Sequence, residues 1–262
     1  AIIASKIKKY KNIVRLNTSP DKYVKNLFSK FFFKIFYSKA DQLIVNSLDF
    51  KKKIKKIFGL NAEYINNLID HRSIILKSQY FKKVHFFSNY SGFKLISVGR
   101  LVDQKNHILA LKAINKIKNK VNLKLIILGS GKLEKDLKNY LKKNNLEKNV
   151  LIRNYNSNPY YMIKQSDYLL LTSKYEGMPN ILLESGVLKT PIISSDCPTG
   201  PKELKKLNSK SINLFKNNDV NSLVKILLNL KTEKKQGLKD FKKFVINNYG
   251  NSKRLEVILK SI

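Results

Sequence analysis

The sequence predicts an α/β protein: one complete, doubly wound parallel-sheet domain joined to a truncated second domain of the same type. Three features predict it. From Gly92 to about Leu230, short β-branched runs alternate with helical stretches, the pattern of a parallel sheet wrapped by helices. Residues 1–77 repeat the alternation on a smaller scale, with too few runs for a whole domain. Between them, KSQYFKKVHFFSNYSG has no periodicity and ends in a Ser-Gly turn, which marks a linker.

The elements follow in chain order. NIVRLN and DQLIVNS read as strands, and LDFKKKIKKIFG as a helix with Ser47 as N-cap and Gly59 past its end. AEYIN is a third short strand. A helix over Tyr23–Lys39 has Leu27, Phe28, Phe31, Phe32 and Ile35 on one wide apolar face, expected to be core. Phe33 and Tyr37 fall on its other side among Lys22, Asn26 and Lys30, where exposed aromatics between lysines would suit a membrane surface. In the second half, FKLISVG leads to a helix over NHILALKAINKIK, and LKLIILGSG to a helix over KLEKDLKNYLKKN. VLIRN, a short helix started by Asn158-Pro159, and DYLLLTS come next, then a helix begun at Pro179, the strand PIISSD, the strand SINLF and a helix over 219–230. This is the order of a Rossmann-like domain. The expected boundaries are 1–80 for the partial domain, 81–92 for the linker and 93–235 for the complete domain. Residues 236–262 read as two helices, broken at Tyr249-Gly250, that pack back toward the N-terminal part.

Composition narrows the function classes. Apolar content of 43% with 27% charged residues is that of a soluble globular protein, and no apolar run reaches the length of about 18 residues that a bilayer span needs. The single cysteine, Cys197, excludes an internal disulfide framework and fits a reducing, cytoplasmic setting. The opening AIIASKIKKY has no methionine and too short an apolar part for a signal peptide; it reads as a chain cut mid-protein. The net charge is +34, yet 47 of the 52 basic residues are lysine, and they are scattered over the whole length. Lysine, 29 asparagines and many isoleucines rising together match an A/T-rich coding sequence, whereas dedicated base and phosphate readers favour arginine. No specific nucleic-acid partner is expected; a general attraction to an anionic membrane surface or polyphosphate is.

The chemistry gathers at predicted strand ends. In YEGMPNILLES, Glu176 ends the turn after DYLLLTS, at the carboxyl edge where open α/β sheets bind ligands. Pro179 suits the first turn of the following helix, so the N–H groups from Gly177 through Met178 and Asn180 to Ile181 are free to face an anion. Glu184, one turn in, offers two acceptor oxygens that match the vicinal hydroxyls of a ribose. In SVGRLVDQKNH, Gly99 and Arg100 lie past a strand end and Lys105 near the next helix, a cation pair able to neutralise a diphosphate. Gly129 and Gly131 close a further strand in a Gly-x-Gly turn. The histidines His71, His85 and His107 are dispersed and form no metal-ligand cluster.

This ordered set resembles family 4 of the retaining nucleotide-sugar glycosyltransferases, which have the GT-B fold of two Rossmann-like domains. The matching stretches are SVGRL…QKNH, IILGSG, DYLLLTSKYEGMPNILLES with its Glu176-x7-Glu184 spacing, and TPIISSDCPTGPKEL; ADQLIVNS and YINNLID look like the end of that family's first domain. The resemblance implies transfer of a hexose or acetamidohexose from a nucleoside-diphosphate sugar, UDP favoured, to a hydroxyl of a glycan or lipid-linked acceptor with retention, as in surface polysaccharide or glycolipid assembly. It implies Arg100, Lys105 and Glu176 as catalytic residues: the two cations on the diphosphate and leaving group, Glu176 on the transferred sugar. Gly99, Gly129, Gly131, Gly177, Met178, Asn180, Ile181 and Glu184 complete the donor site, with Glu184 on the ribose and Gly200 to Glu203 in a loop lining the cleft. No cofactor and no divalent metal are implied, and the departing phosphate oxygen, not a covalent Glu176, takes the acceptor's proton. The opening strand and glycine-rich loop of the family's first domain have no counterpart here, nor has the histidine often used on that side. The other class that fits the charge is a basic membrane- or nucleic-acid-binding protein on this fold with catalysis lost, and binding of UDP separates the two.

Overall fold

A computed structural model describes residues 11–17, 20, 23–80, 83–197, 199–207, 211–231 and 235–250. It contains two parallel sheets. The smaller has the order β1 (Ile13–Leu16), β2 (Gln42–Val45), β3 (Glu63–Tyr64), with α1 (Leu27–Ser38) and α2 (Leu48–Phe58) as its crossovers. Ser47 caps α2 by accepting from the Phe50 N–H at 3.2 Å. Phe50, Ile54 and Phe58 turn inward against Leu43 and Val45. A short helix, α3 (His71–Ser78), follows β3 with Asp70 as its cap; no period in the sequence announces it. The next stretch is a linker only in part, because Val84 and Phe87, on a 3-10 turn at His85–Phe87, are buried in the main core.

The larger sheet is built from β4 (Phe93–Val98), β5 (Leu123–Leu128), β6 (Val150–Arg153), β7 (Tyr168–Leu171), β8 (Ile192–Ser195) and β9 (Ile212–Phe215). Its spatial order is β6-β5-β4-β7-β8-β9, every pair parallel. Counted from β4 this is the doubly wound order 3-2-1-4-5-6. The chain leaves β4 toward β5 on one side and returns to β7 on the other, so the topology reverses between β4 and β7. Strands such as LKLIIL are apolar on both faces because helices cover both. α4 (His107–Ile117), α5 (Glu134–Lys143) and α9 (Val220–Leu228) pack on one face. α6 (Tyr160–Lys164), α7 (Asn180–Val187), α8 (Gly200–Leu207) and α10 (Lys235–Tyr249) pack on the other.

Two corrections to the sequence reading concern faces. Leu27, Phe28, Phe31, Phe32 and Ile35, expected as core, are all exposed on α1, while Phe33 and Tyr37 turn inward onto Tyr23 and Phe58. A stripe identifies residues that share a face, not the element that covers it, and no described residue lies over this one. The second concerns Gly200 to Glu203. They open α8 rather than forming a loop along the cleft, and Glu203 Oε2 accepts from the Leu48 N–H at 3.2 Å, capping α2 from the other domain. α10 adds a further tie, with the Tyr249 carbonyl accepting from Ile69 N at 3.0 Å and the Asn248 carbonyl from Asn66 Nδ2 at 2.8 Å. Residues 1–10 and 251–262, with the opening segment and the last predicted helix, lie outside the described residues.

Candidate active site

At the carboxyl edge the loops after β4 and β7 face each other across the reversal point. They are stitched together by several bonds. Gln104 Nε2 donates to the Tyr175 carbonyl at 3.1 Å, Lys174 N to the Gln104 carbonyl at 2.8 Å, and Thr172 Oγ1 to the Lys105 carbonyl at 2.9 Å. A 3-10 turn over Asp103–Lys105 then aims the lysine inward. Lys105 Nζ lies 2.6 Å from Glu176 Oε1, which also accepts from Ser173 Oγ at 2.6 Å. The two side chains are 16% and 9% exposed, so this is a nearly buried ion pair between residues 71 positions apart. The pairing was not foreseen: Lys105 enters the site already partnered, with one of its three N–H groups committed.

The main chain beyond Glu176 is held from behind. Thr199 Oγ1 donates to the Glu176 carbonyl and, at 2.9 Å, to the Gly177 carbonyl, which also accepts from Gly200 N at 2.7 Å. Gly177 itself lies against the other domain: a Cβ there would sit 2.7 Å from the Asn17 carbonyl oxygen and 2.9 Å from the Asn46 amide, so only glycine lets the domains approach this closely. Pro179 is the N-cap of α7 rather than its first residue, with extended φ and ψ of −71° and 119°. Asn180 and Ile181 therefore open the helix, and their N–H groups have no carbonyl one turn back.

Lys105, Glu176, Gly177, Met178 and Asn180 form one wall of a cleft of about 550 Å³ between the domains. The opposite wall was missed by sequence reasoning. It is made by Arg15, Asn17, Asn46, Asn66 and Asn67, at the ends of β1, β2 and β3. Asn67 joins the walls, donating to the Met178 carbonyl at 2.7 Å and to Asn180 Oδ1 at 2.6 Å, while accepting from Arg15 Nη2 at 2.8 Å. Asn46 is buried and its Oδ1 has no partner among the described residues, an acceptor beside the cleft. The usable signal was positional: VNS and INN both follow a strand at the carboxyl edge. A larger cavity, about 730 Å³, opens at the other edge beside Gly92, Asn122 and Asp167, away from these converging groups.

The remaining predicted residues occupy distinct places. Gly99 lies beneath the Lys105 methylenes. Arg100 is exposed at the mouth of the β4 loop, and no described side chain holds it. Gly129 and Gly131 pack the β5 exit against the β4 exit; a Cβ on Gly129 would fall 1.9 Å from the Gly99 carbonyl oxygen. They shape the rim rather than line the cleft. Glu184 is not beside Lys105. It sits one turn along α7, half-buried, and burial pushes its carboxyl up to about 7. Tyr160 is its neighbour, its hydroxyl raised to about 12 by burial and then by Glu184 and Tyr155. Tyr155 and Arg153 border a third cavity of about 430 Å³ at the ends of β5 and β6. His107, at the start of α4, is buried and pushed down to about 4, chiefly by that burial, and so is neutral at pH 7. Among the described residues no group of three His, Cys, Asp or Glu side chains could hold a metal ion, and no helix is long and apolar enough to cross a membrane.

Comparison with known proteins places this geometry. An uncharacterized glycosyltransferase of Methanocaldococcus jannaschii is 32% identical over 221 residues, 78% of this chain and 53% of the relative. The N-acetylgalactosamine-N,N'-diacetylbacillosaminyl-diphospho-undecaprenol 4-alpha-N-acetylgalactosaminyltransferase of Campylobacter jejuni is 31% identical over 189 residues, 70% of this chain and 50% of the relative. The chain thus spans about half the length of these curated relatives. The crystal structure of Anabaena Alr3699/HepE in complex with UDP and glucose superposes with a TM-score of 0.83 at 16% identity, over 100% of this chain and 74% of that one, which establishes the shared GT-B fold. Residues 81–249, from the packed linker to the last turn of α10, match the family described as "Glycosyl transferases group 1", and the chain belongs to that family.

Proposed function

We propose that this chain is the donor-binding part of a retaining, family 4 hexosyltransferase. It would take a hexose or acetamidohexose from a UDP-sugar to a hydroxyl of a glycan or lipid-linked acceptor, in surface polysaccharide or glycolipid assembly at the cytoplasmic face of a membrane. The observation that supports this most is the meeting of Lys105, Glu176 and the opening of α7 at the one reversal point of the larger sheet. The Campylobacter relative, whose name describes transfer of an acetamidohexose to a diphospho-undecaprenol-linked acceptor, supports the substrate class.

The mechanism follows from charge. Cleavage of the anomeric bond leaves an oxocarbenium-like sugar and a diphosphate. The two uncommitted N–H groups of Lys105, the amides of Asn180 and Ile181, and Arg100 reaching over the rim neutralise that diphosphate; one lost donor costs about 3–4 kcal/mol of barrier lowering. Glu176 holds Lys105 in place and offers its second oxygen to a sugar hydroxyl. Its ion pair lowers its value as a nucleophile, which leaves the departing phosphate oxygen as the base. Glu184 takes the ribose hydroxyls, and the uracil ring lies toward Tyr155. Asn46 Oδ1, unpartnered among the described residues, faces a hydroxyl from the other wall, and Asn67 braces that wall. None of these steps needs a metal. The test is calorimetric titration of the chain with UDP and UDP-sugars: saturable binding at one site is expected, and absence of binding, with anionic vesicles still bound, would replace this reading by that of a catalytically silent basic protein.

A further inference from the structure

We propose that Glu203 is a positioning residue of the cleft: through the first turn of α8 it ties the arrangement of the two domains to the backbone of Glu176 and Gly177. Glu203 is 8% exposed, and burying a carboxylate costs free energy unless hydrogen bonds replace its water. Its Oε2 reaches across the domain boundary to the Leu48 N–H at 3.2 Å, a bond between residues 155 positions apart. Ser47 Oγ already serves the Phe50 N–H, so α2 has a cap of its own. The acid takes a donor that this cap leaves open.

The same turn holds the cleft from behind. Thr199 Oγ1 donates to the carbonyls of Glu176 and Gly177, and Gly200 N donates to that of Gly177 at 2.7 Å. The fit is tight: a Cβ on Gly200 would fall 2.2 Å from the Gly177 carbonyl oxygen. Thr199 is held at a φ of 81°, which a β-branched residue adopts only where its surroundings impose it. Glu203 N bonds back to the Thr199 carbonyl at 3.2 Å, closing the turn. A shift of α2 relative to the larger sheet therefore pulls on Glu203, then on Thr199 and Gly200. From there it reaches the main chain that runs from Glu176 to the opening of α7. The grip needs an acceptor oxygen more than a charge. Burial first, and the Asp49 carboxylate second, raise the Glu203 carboxyl above its ordinary range, against the pull of the α2 amides and Lys206. A neutral amide in its place keeps the acceptor and sheds that cost. The consequence for sugar transfer rests on the reading of the cleft as a donor site; the coupling itself does not.

Spin labels at Lys52→Cys on α2 and Asn139→Cys on α5, both exposed positions, report the separation of the domains by pulsed electron resonance without any ligand. Cys197 is buried, and labelling of the otherwise unmodified chain gives the blank. The doubly labelled parent should show one narrow distance. Glu203→Ala should lower the ratio of this state to more open ones by at least about fivefold, the worth of one lost helix cap. Hydrogen exchange should then quicken between Glu176 and Gly200 but not in α4. Leu48→Pro breaks the same bond from the other side and keeps the test open should Glu203→Ala fail to fold. Proline suits the first helical position, and Ser47 before it is already extended, so α2 survives without that donor. It should open the domains as far as Glu203→Ala does, and the double variant no further than either. Glu203→Gln should keep the parent distance. Unchanged distances in both single variants, additive opening, or opening by Glu203→Gln as large as by Glu203→Ala would overturn the proposal. So would opening with no change of exchange between Glu176 and Gly200, which would leave Glu203 a plain cap of α2. Absence of UDP binding with these changes intact would remove the donor reading and leave the coupling standing.

Discussion

Glu184→Gln is expected to stabilise the ligand-free chain by about 3 kcal/mol above pH 7 while weakening its hold on a nucleoside diphosphate about tenfold. The carboxyl is raised from its ordinary 4.5 to about 7 by burial, with no compensating cation. The folded state therefore holds a proton that the unfolded state has released between those two values. Stability then falls as pH rises from 4.5 to 7, and the penalty is complete above 7. Glutamine cannot ionise and escapes it, so the gain should vanish near pH 4.5. His107 works in the opposite sense: held down to about 4 against an ordinary 6.5, it loses stability as pH falls through that range. In the unmodified chain the two slopes largely offset each other, which is why the variant is needed. Urea unfolding of both proteins from pH 4.5 to 8.5 gives the answer. Parallel curves would refute the buried charge, and unchanged UDP affinity would refute the ribose contact.

Lys105→Ala should cost about 3–5 kcal/mol of stability, the usual result of stripping a buried charge of its partner. Glu176, 9% exposed in the native chain, would keep Ser173 Oγ but lose its cation. The pair is not thereby a net stabiliser. Lys105→Met combined with Glu176→Gln should recover most of the loss, because both desolvation penalties disappear together. Nucleotide affinity should fall in both variants. A single variant that loses under about 1 kcal/mol, the range of surface pairs, would show that water reaches the pair freely.

The sequence disclosed elements far better than environments. β-branched runs and their turns locate the strands of the larger sheet, and the carboxyl-edge rule then identifies the loops after Val98 and Leu171 as ligand-facing. That Lys105 and Glu176 touch was not legible, since it depends on β4 and β7 being neighbours, which strand propensity does not encode. Nor were Arg15, Asn46 and Asn67, which join the site only because the second domain folds over the first. α1 shows the limit most plainly. The same stripe fits a buried helix and an exposed one, and only the position of Tyr23 and Phe58 decides that Phe33 is inside and Phe31 outside. The raised carboxyl of Glu184 likewise arises from its burial in the folded chain, which the sequence does not display.

The central claim is that the reversal-point edge grips pyrophosphate. It is tested most directly by the affinities of UDP and uridine, measured side by side for the unmodified chain and for folded Arg100→Ala/Lys105→Ala protein. UDP binding should weaken by about a hundredfold or more, as expected for two charge-assisted contacts, while uridine binding stays the same. Equal losses for both ligands, or no loss for UDP, would contradict it.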